Sequence, residues 1–286
     1  MADGASEVSS SDSRRGARSP HLCASAAQVT DVGLQRRNNQ DSHLLLPLDS
    51  HNVPEETVPV FFDITEGRLL AAVADGMGGH YGGEIASRMC VETLAKEIIG
   101  QLQFSGGSAS DFPLALQRSV EAAHEAVFLH AQDSGENRVM GTTLTAALLH
   151  GAHADFAQVG DSRAYLFRDG NLLLLTQDQT IGNQLRGQGK DAGQLSEQIR
   201  SMLTQALGAQ QEIQVVMSGV DLQPGDSVLL CCDGLYKAVS TADIVAVLQQ
   251  QCWAYEKAAR LVACANERGG PDNITVVLIE IFRVET

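Results

Sequence analysis

The sequence predicts an α+β fold: two mostly antiparallel sheets packed face to face, with helix pairs outside both. Three observations predict it. Strand-like runs come first, then two long helical patterns, more strands, two further helices and a final strand. No internal repeat is present, which argues against a solenoid or propeller. The 286 residues are 44% hydrophobic, enough to bury a large core as one big domain or two small ones.

Residues 1–20 are rich in Ser, Arg, Gly and Ala and show no apolar period, so a disordered tail is expected there. Arg14, Arg15 and Arg18 before Ser19 resemble a basic kinase target, but a solvated tail explains them as well. The fold starts near His21. Cys23 to Thr30 alternates loosely as a strand. A polar, Asn-rich link holding Arg36 and Asp41 leads to Ser42–Leu46, a second strand. From Pro47 to Thr65 the chain makes a Pro- and acid-containing excursion. Val58–Ile64 inside it is expected as an edge strand, because Pro54 and Pro59 keep it off the sheet interior.

Leu69–Ala74 is a short apolar run, expected as a buried strand, with Asp75 at its tip. Ile85, Met89, Val91, Leu94, Ile98 and Leu102 then recur at helical spacing and predict a helix from about Gly82 to Phe104. Asp111 with Pro113 just inside signals a second helix. Leu114, Leu116, Val120, Ala123, Val127 and Leu129 continue it to about Gln132, as an antiparallel neighbour of the first.

Strands follow at Leu144–Leu149 and His153–Val159. Ala164–Phe167 and Leu172–Leu175 make a hairpin about the Asp169-Gly170 turn. Residues 177–211 are Gln- and Gly-rich and long for a loop, and such loops are usually functional. A short helix is expected within them near Leu195 to Gln205. Glu212–Gly219 and Ser227–Cys232 read as strands, the second ending at Asp233. Thr241 is the expected N-cap of a helix over 242–251. Tyr255–Glu267 is a further helix and Ile274–Ile281 the last strand.

Composition excludes several classes. The formal net charge of −15 argues against nucleic acid or an anionic membrane surface as partner. No apolar run is long enough to span a bilayer, and no secretory signal is visible. The six cysteines form no C-x-x-C pair, so structural zinc is not expected. Buried reduced thiols, with Cys231 and Cys232 on opposite faces of one strand, suit a cytoplasmic protein.

Asp41, Asp75, Asp233 and Asp272 all fall at strand ends or tight turns. Taken singly, each reads as a turn former or helix cap. Gathered together, four carboxylates stay ionised only with cations beside them. No His or Cys accompanies them, which selects Mg or Mn over zinc. Two such ions a few ångströms apart make a hydrolytic site, in which a bridging water loses its proton and attacks in line. Arg36 is the candidate for binding an anion such as phosphate. Thr142 and Thr143 have no base placed near them and read as structural. The glycines around Gly78 and Gly82 lack the lysine of a phosphate-binding loop.

Six segments occur in order: Gly33-x-x-Arg36-x-x-Asn39-Gln40-Asp41, Asp75-Gly76-Met77-Gly78-Gly79, Gly141-Thr142-Thr143, Gly160-Asp161-Ser162-Arg163, Cys232-Asp233-Gly234-Leu235 and Pro271-Asp272-Asn273-Ile274-Thr275. Together they resemble the metal-dependent type 2C Ser/Thr protein phosphatase family in its compact bacterial form, from about Gln28 to Ile281. The resemblance implies a single α-β-β-α sandwich over 21–286, with two tight Mn2+ or Mg2+ ions at one end. It implies that Asp75 bridges both ions and the Gly76 carbonyl holds one. Asp233 and Asp272 hold the other. Asp41 is a ligand or a partner of metal-bound water, and Arg36 clamps the substrate phosphate. Asp161 matches a position that helps hold a weaker third ion, although a turn Asp pairing with Arg163 explains it equally. Residues 177–211 correspond to a mobile flap.

Hydrolysis of phosphoserine and phosphothreonine on proteins by the metal-bridging hydroxide is the implied activity. A Ser/Thr kinase and its targets are the implied partners, and a cytoplasmic monomer is the expected state. A pseudophosphatase acting as a binding module, or a partner-switching regulator phosphatase, are the alternatives. Retention of Asp75, Asp233 and Asp272 argues against the first, and no fused sensor domain supports the second. Some positions depart from the family pattern. Gln40 stands where many members have Glu. Met77 stands where eukaryotic members carry a His acid, so the leaving-group proton comes from a metal-bound water or another group. His80 is nearby and reads as a surface residue. Gln177–Ile181 lacks the His-Ser type sequence expected before the flap, which bears on substrate preference.

Overall fold

A computed structural model describes residues 21–49, 60–78, 82–104, 109–133 and 140–284. The expected tail over 1–20 and His80 lie outside the described residues. In chain order come β1 (His21–Asp31), β2 (Asp41–Pro47), β3 (Val60–Asp63), β4 (Arg68–Met77), α1 (Gly82–Phe104), α2 (Phe112–Asp133), β5 (Gly141–Thr142), β6 (Leu144–His150), β7 (His153–Val159), β8 (Arg163–Arg168) and β9 (Asn171–Leu174). Then follow α3 (Ile181–Gly187), α4 (Glu197–Arg200), β10 (Val216–Asp221), β11 (Ser227–Cys231), α5 (Asp233–Tyr236), α6 (Thr241–Leu248), α7 (Ala254–Glu267) and β12 (Ile274–Val284).

The strands form two antiparallel sheets. One has the order β3-β1-β12-β11-β8-β9 and the other β10-β7-β6-β4-β2, with β5 paired to the tip of β4. Strand β4 shows why the sheets stack. Leu69, Ala71 and Val73 enter the apolar layer between the sheets, beside Phe156 and Val277. Leu70, Ala72 and Ala74 face α1 and α2 on the other side, among Leu94, Ile98, Leu116 and Val120. Alternate residues point to opposite faces, so a strand buried on both reads as an unbroken apolar run. The third layer packs α6 and α7 on the first sheet through Leu229, Leu261 and Leu278. Leu94 is fully buried, and truncating such a leucine to alanine costs about 2–5 kcal/mol. Cys231 joins the outer layer and Cys232 the layer between the sheets, as their alternation predicts, and all six thiols are free.

The structure corrects several expected elements. Strand β4 runs on through Asp75 to Met77, because Gly76 and Met77 pair with Thr142 and Gly141. The N-cap of α6 is Ser240, whose hydroxyl accepts from the Asp243 amide, and Thr241 is the first helical residue. The 177–211 segment holds α3, which no apolar period announces and which the Thr180 hydroxyl caps by accepting from the Asn183 amide. The helix expected near Leu195 to Gln205 is only the single turn α4. The strand expected from Glu212 starts at Val216 and ends at Asp221. In α2, Leu114 and Leu129 are about half exposed, at 48% and 52%. Among the described residues no helix is long and apolar enough to cross a membrane.

Candidate active site

Adjacent strand ends bring the acidic residues together. Asp41 on β2 lies directly opposite Asp75 on β4 in antiparallel register. Like charges facing each other across two strands are destabilising, so something else must hold the pair. Around Asp75 the backbone is fixed by the 141–143 segment. The Asp75 amide donates to Thr143 Oγ1 at 3.0 Å, and Asp75 O accepts from the Thr143 amide and the Thr142 hydroxyl at 2.9 Å each. Both threonines are therefore structural, as the sequence suggests. The Gly76 amide donates to Gln40 O at 3.1 Å, closing the strand ends on each other.

Asp233 opens the one-turn helix α5 directly after β11. Asp272 sits in the turn between α7 and β12. Its Oδ1 caps the Asn273 amide at 2.9 Å, and its Oδ2 accepts from Arg36 at 2.6 Å. The Asn273 side chain then ties this turn to the Arg36 loop. It donates to Val32 O and Asn38 O at 2.9 and 3.0 Å and accepts from the Gln40 amide at 2.8 Å. One asparagine thus carries Arg36, Gln40 and Asp272 to one place.

Asp161, 5% exposed, does not pair with Arg163. Arg163 instead grips Asp178 with two hydrogen bonds of 2.8 and 2.6 Å and stacks on Tyr236, 3.6 Å from the ring centroid. This overturns the reading of Asp161 as a locally paired turn residue. Its partners come from the end of α5 and its C-cap: the Tyr236 hydroxyl donates to Asp161 Oδ2 at 3.2 Å, and Lys237 Nζ lies 4.0 Å away.

Arg36, Asp75, Gly76, Asp161, Asp233 and Asp272 all line one cavity of about 380 Å³. Asp41 lies behind Asp75, outside the cavity lining, with Oδ2 accepting from Thr275 at 2.6 Å. The side-chain oxygens Asp41 Oδ1 and Asp233 Oδ1 are buried and have no hydrogen-bond partner. Burial pushes the Asp41 carboxyl up to about 7, with Asp233 and Asp272 adding repulsion and the Thr275 and Cys232 side chains opposing it. Asp75 is pushed well above its ordinary range by burial and by Asp41 and Asp233. Asp161 rises to about 6, again chiefly through burial.

Oxygen-only donors, two orphaned buried carboxylate oxygens and mutual repulsion fit hard divalent cations. Among the described residues no three His, Cys, Asp or Glu side chains already close around one point at ligand spacing. Asp272 is turned to Arg36 and Asp233 to Lys237, each carboxylate sharing a protein cation. Lys237, Tyr236, Asn273 and Thr275 are the site residues to which sequence reasoning gave no role. Lys237 had a readable signal: it follows Asp233 by four residues, one helical turn.

A family model described as Protein phosphatase 2C matches residues 59–266. The chain belongs to the protein phosphatase 2C family. The serine/threonine phosphatase stp of Listeria innocua is 33% identical over 224 residues, which span 77% of this chain and 87% of that one. The S. agalactiae serine/threonine phosphatase superposes with a TM-score of 0.76 at 32% identity, over 90% of this chain and 99% of that chain. The catalytic domain of the serine/threonine phosphatase PstP, solved with two manganese ions, gives 0.72 at 32% identity, over 91% and 99%. This phosphatase therefore carries the α-β-β-α sandwich that its motifs imply. The matched stretch leaves out Arg36, Asp41 and Asp272; Arg36 and Asp272 are held at the cavity by the hydrogen bonds given above, and Asp41 stays behind Asp75.

Proposed function

We propose that this phosphatase hydrolyses phosphoserine and phosphothreonine monoesters on proteins, using Mn2+ or Mg2+. The observation that carries the reading is the carboxylate-lined cavity with Asp41 behind it, where Asp41 Oδ1 and Asp233 Oδ1 are buried and have no hydrogen-bond partner in the protein. Asp75, Asp233, Asp272 and the Gly76 carbonyl would hold two ions, with Asp41 behind Asp75 as ligand or partner of a bound water. Asp161 would serve a further cation at the flap side. Bound divalent ions supply the Lewis acidity that activates water and neutralises phosphoryl oxygens.

The chain's own residues orient the substrate around that centre. Arg36 is half exposed at the mouth, with its guanidinium on Asp272. Its fork suits two phosphoryl oxygens, and charge-assisted pairing favours the charge that builds on them. Asn273 holds the Arg36 loop in place, and the Thr142–Thr143 clasp keeps the Asp75 backbone fixed. The flap wall brings Arg186, Lys190 and Arg200 to a second cavity of about 630 Å³ that shares Asp161 and Lys237 with the first. That cavity offers room for the peptide around the phosphoresidue.

A Ser/Thr kinase and its phosphorylated targets are the physiological counterparts, and the enzyme acts as a cytoplasmic monomer, one domain over 21–286. The net charge of −15 suits protein substrates that bring their own basic surface rather than nucleic acid. Release of phosphate from a phosphothreonine peptide, with and without Mn2+, tests the reading. Turnover that requires the ion is the expected result. A folded, Mn2+-loaded protein that releases no phosphate would make the chain a binding module.

A further inference from the structure

Asp161 comes from the turn before β8 and Asp233 from the first turn of α5, yet both carboxylates meet the same ammonium. Lys237 Nζ donates to Asp233 Oδ2 at 2.5 Å and lies 4.0 Å from Asp161 Oδ2. The spacing of four residues from Asp233 puts the lysine on the same face of α5, as an i,i+4 pair. Its stem is anchored where α5 ends, while Tyr236 beside it holds Asp161 from the other side through its hydroxyl. Tyr236 is itself fixed by the Arg163 guanidinium stacked on its ring. The ammonium thus stands at the junction of the two cavities, lining both the acidic one and the one beneath the flap.

We propose that the Lys237 ammonium is a built-in cation at the Asp161–Asp233 position, standing where a weak third metal ion would otherwise bind. The proposal rests on the phosphatase reading of the site. A hard divalent ion takes six or more oxygen ligands. The carboxylates that meet Lys237 at this edge are Asp161 and Asp233, and Asp233 is also wanted by the ions of the centre. A weak ion here would depend on water and on a high free concentration. An ammonium on a tether has no such dependence, because its effective concentration is set by the tether, on the order of millimolar for short linkers. It also carries three donors and no acceptor, so it offsets part of the charge of both carboxylates without needing a closed ligand shell. Lys237 differs here from Arg36. Arg36 sits at the open mouth on Asp272, where a phosphate can draw it away, whereas Lys237 faces two carboxylates at once.

The experiment compares the wild-type chain with Lys237→Asn, which removes the charge and leaves a short oxygen donor. Mn2+ binding is counted by calorimetry and by the paramagnetic resonance of free Mn2+. Phosphothreonine-peptide turnover is followed across the same Mn2+ range. The wild type is expected to bind two ions and no weaker third. Its turnover should be flat once those two sites fill. Lys237→Asn should gain a weak third ion. At Mn2+ just sufficient for the tight sites, its turnover should fall about 10- to 100-fold, the size of effect seen for groups that support metal ligands, and excess Mn2+ should restore it. Lys237→Met, of similar length without a donor oxygen, should lose turnover without that rescue. A weak third ion in the wild type overturns the proposal, as does an unchanged ion count and Mn2+ profile in Lys237→Asn. If neither protein turns over peptide, the phosphatase reading fails, and the ion count still decides the role of Lys237.

Discussion

Arg36 and Thr275 touch two different carboxylates of the site and do different work there. The Arg36 guanidinium is 52% exposed and rests on Asp272 at 2.6 Å, so an arriving phosphate meets it without unfolding anything. Arg36→Ala should raise KM for a phosphothreonine peptide about tenfold, the 1.4 kcal/mol of one lost charge-assisted contact, with a smaller fall in kcat. Steady-state kinetics decide this, and unchanged constants would pass the role to Arg37 or to neither. Thr275 acts from behind. It donates to Asp41 Oδ2 at 2.6 Å and shares a 2.8 Å hydrogen bond with the Thr30 hydroxyl, which in turn accepts from Asn39. Thr275→Val keeps the volume and removes the donor, leaving a buried Asp41 with neither oxygen held by a hydroxyl. Mn2+ affinity by calorimetry should fall about 10- to 100-fold, while the fold stays intact by circular dichroism. Equal affinity would leave Thr275 as packing alone.

Elements meet at this site through backbone as well as side chains, and two glycines show the backbone part. A Cβ at Gly234, in the first turn of α5, would lie 2.0 Å from Asn273 O, and one at Gly33 would lie 2.1 Å from Asp272 O. The 271–273 turn is therefore pinched between α5 and the loop after β1, which sets the spacing of Asp233 and Asp272. Gly234→Ala must push that turn away and should lower both the melting temperature and Mn2+ binding. Gly100, inside α1, meets nothing within 4 Å, so Gly100→Ala should instead stabilise by about 0.5–1 kcal/mol through helix entropy. Thermal melts of the two variants check the contrast, and a neutral Gly234→Ala would mean the turn is free to slide. The same pair explains what was legible beforehand. The helices α1 and α2 announce themselves by period, and the β8–β9 hairpin by Asp169-Gly170, because local patterning decides them. The aspartates stood out at strand ends, so their gathering could be read from motif order. The helix α3 could not, since a Thr180 cap on a polar segment leaves no apolar stripe. Nor could the role of Asn273, which depends on which loops the topology brings together; for Lys237 only its i,i+4 spacing from Asp233 was readable.

Over the whole molecule, burying this many carboxylates couples stability to pH and to metal. Asp41 is pushed up to about 7 and Asp161 to about 6, with Asp75 higher than its ordinary range. An unfolded aspartate titrates at about 3.9, so between these values the folded chain keeps protons that the unfolded chain gives up. The resulting stabilisation is fully present below about pH 4 and is lost as pH rises through 6 to 7. The groups facing Asp41 are Asp75, Asp233 and Asp272, with the Cys232 thiol and the Thr275 hydroxyl beside it. Lys237 faces Asp161, so neutralisation there is partial and the trend survives. The metal-free protein should therefore melt several degrees lower at pH 8 than at pH 5. Divalent ions bind carboxylates and not carboxylic acids, so Mn2+ affinity rises over the same window. At an ion concentration a hundredfold above Kd, binding adds about 2.7 kcal/mol, which is about 5–11 °C for a domain of this size. Calorimetric melts with and without Mn2+ should thus diverge as pH rises, with little separation at pH 5 and the widest gap near pH 8. A gap that is constant across pH would mean that the carboxylates of the cavity are already ionised in the metal-free fold, and that their charge is held by Arg36 and Lys237 alone.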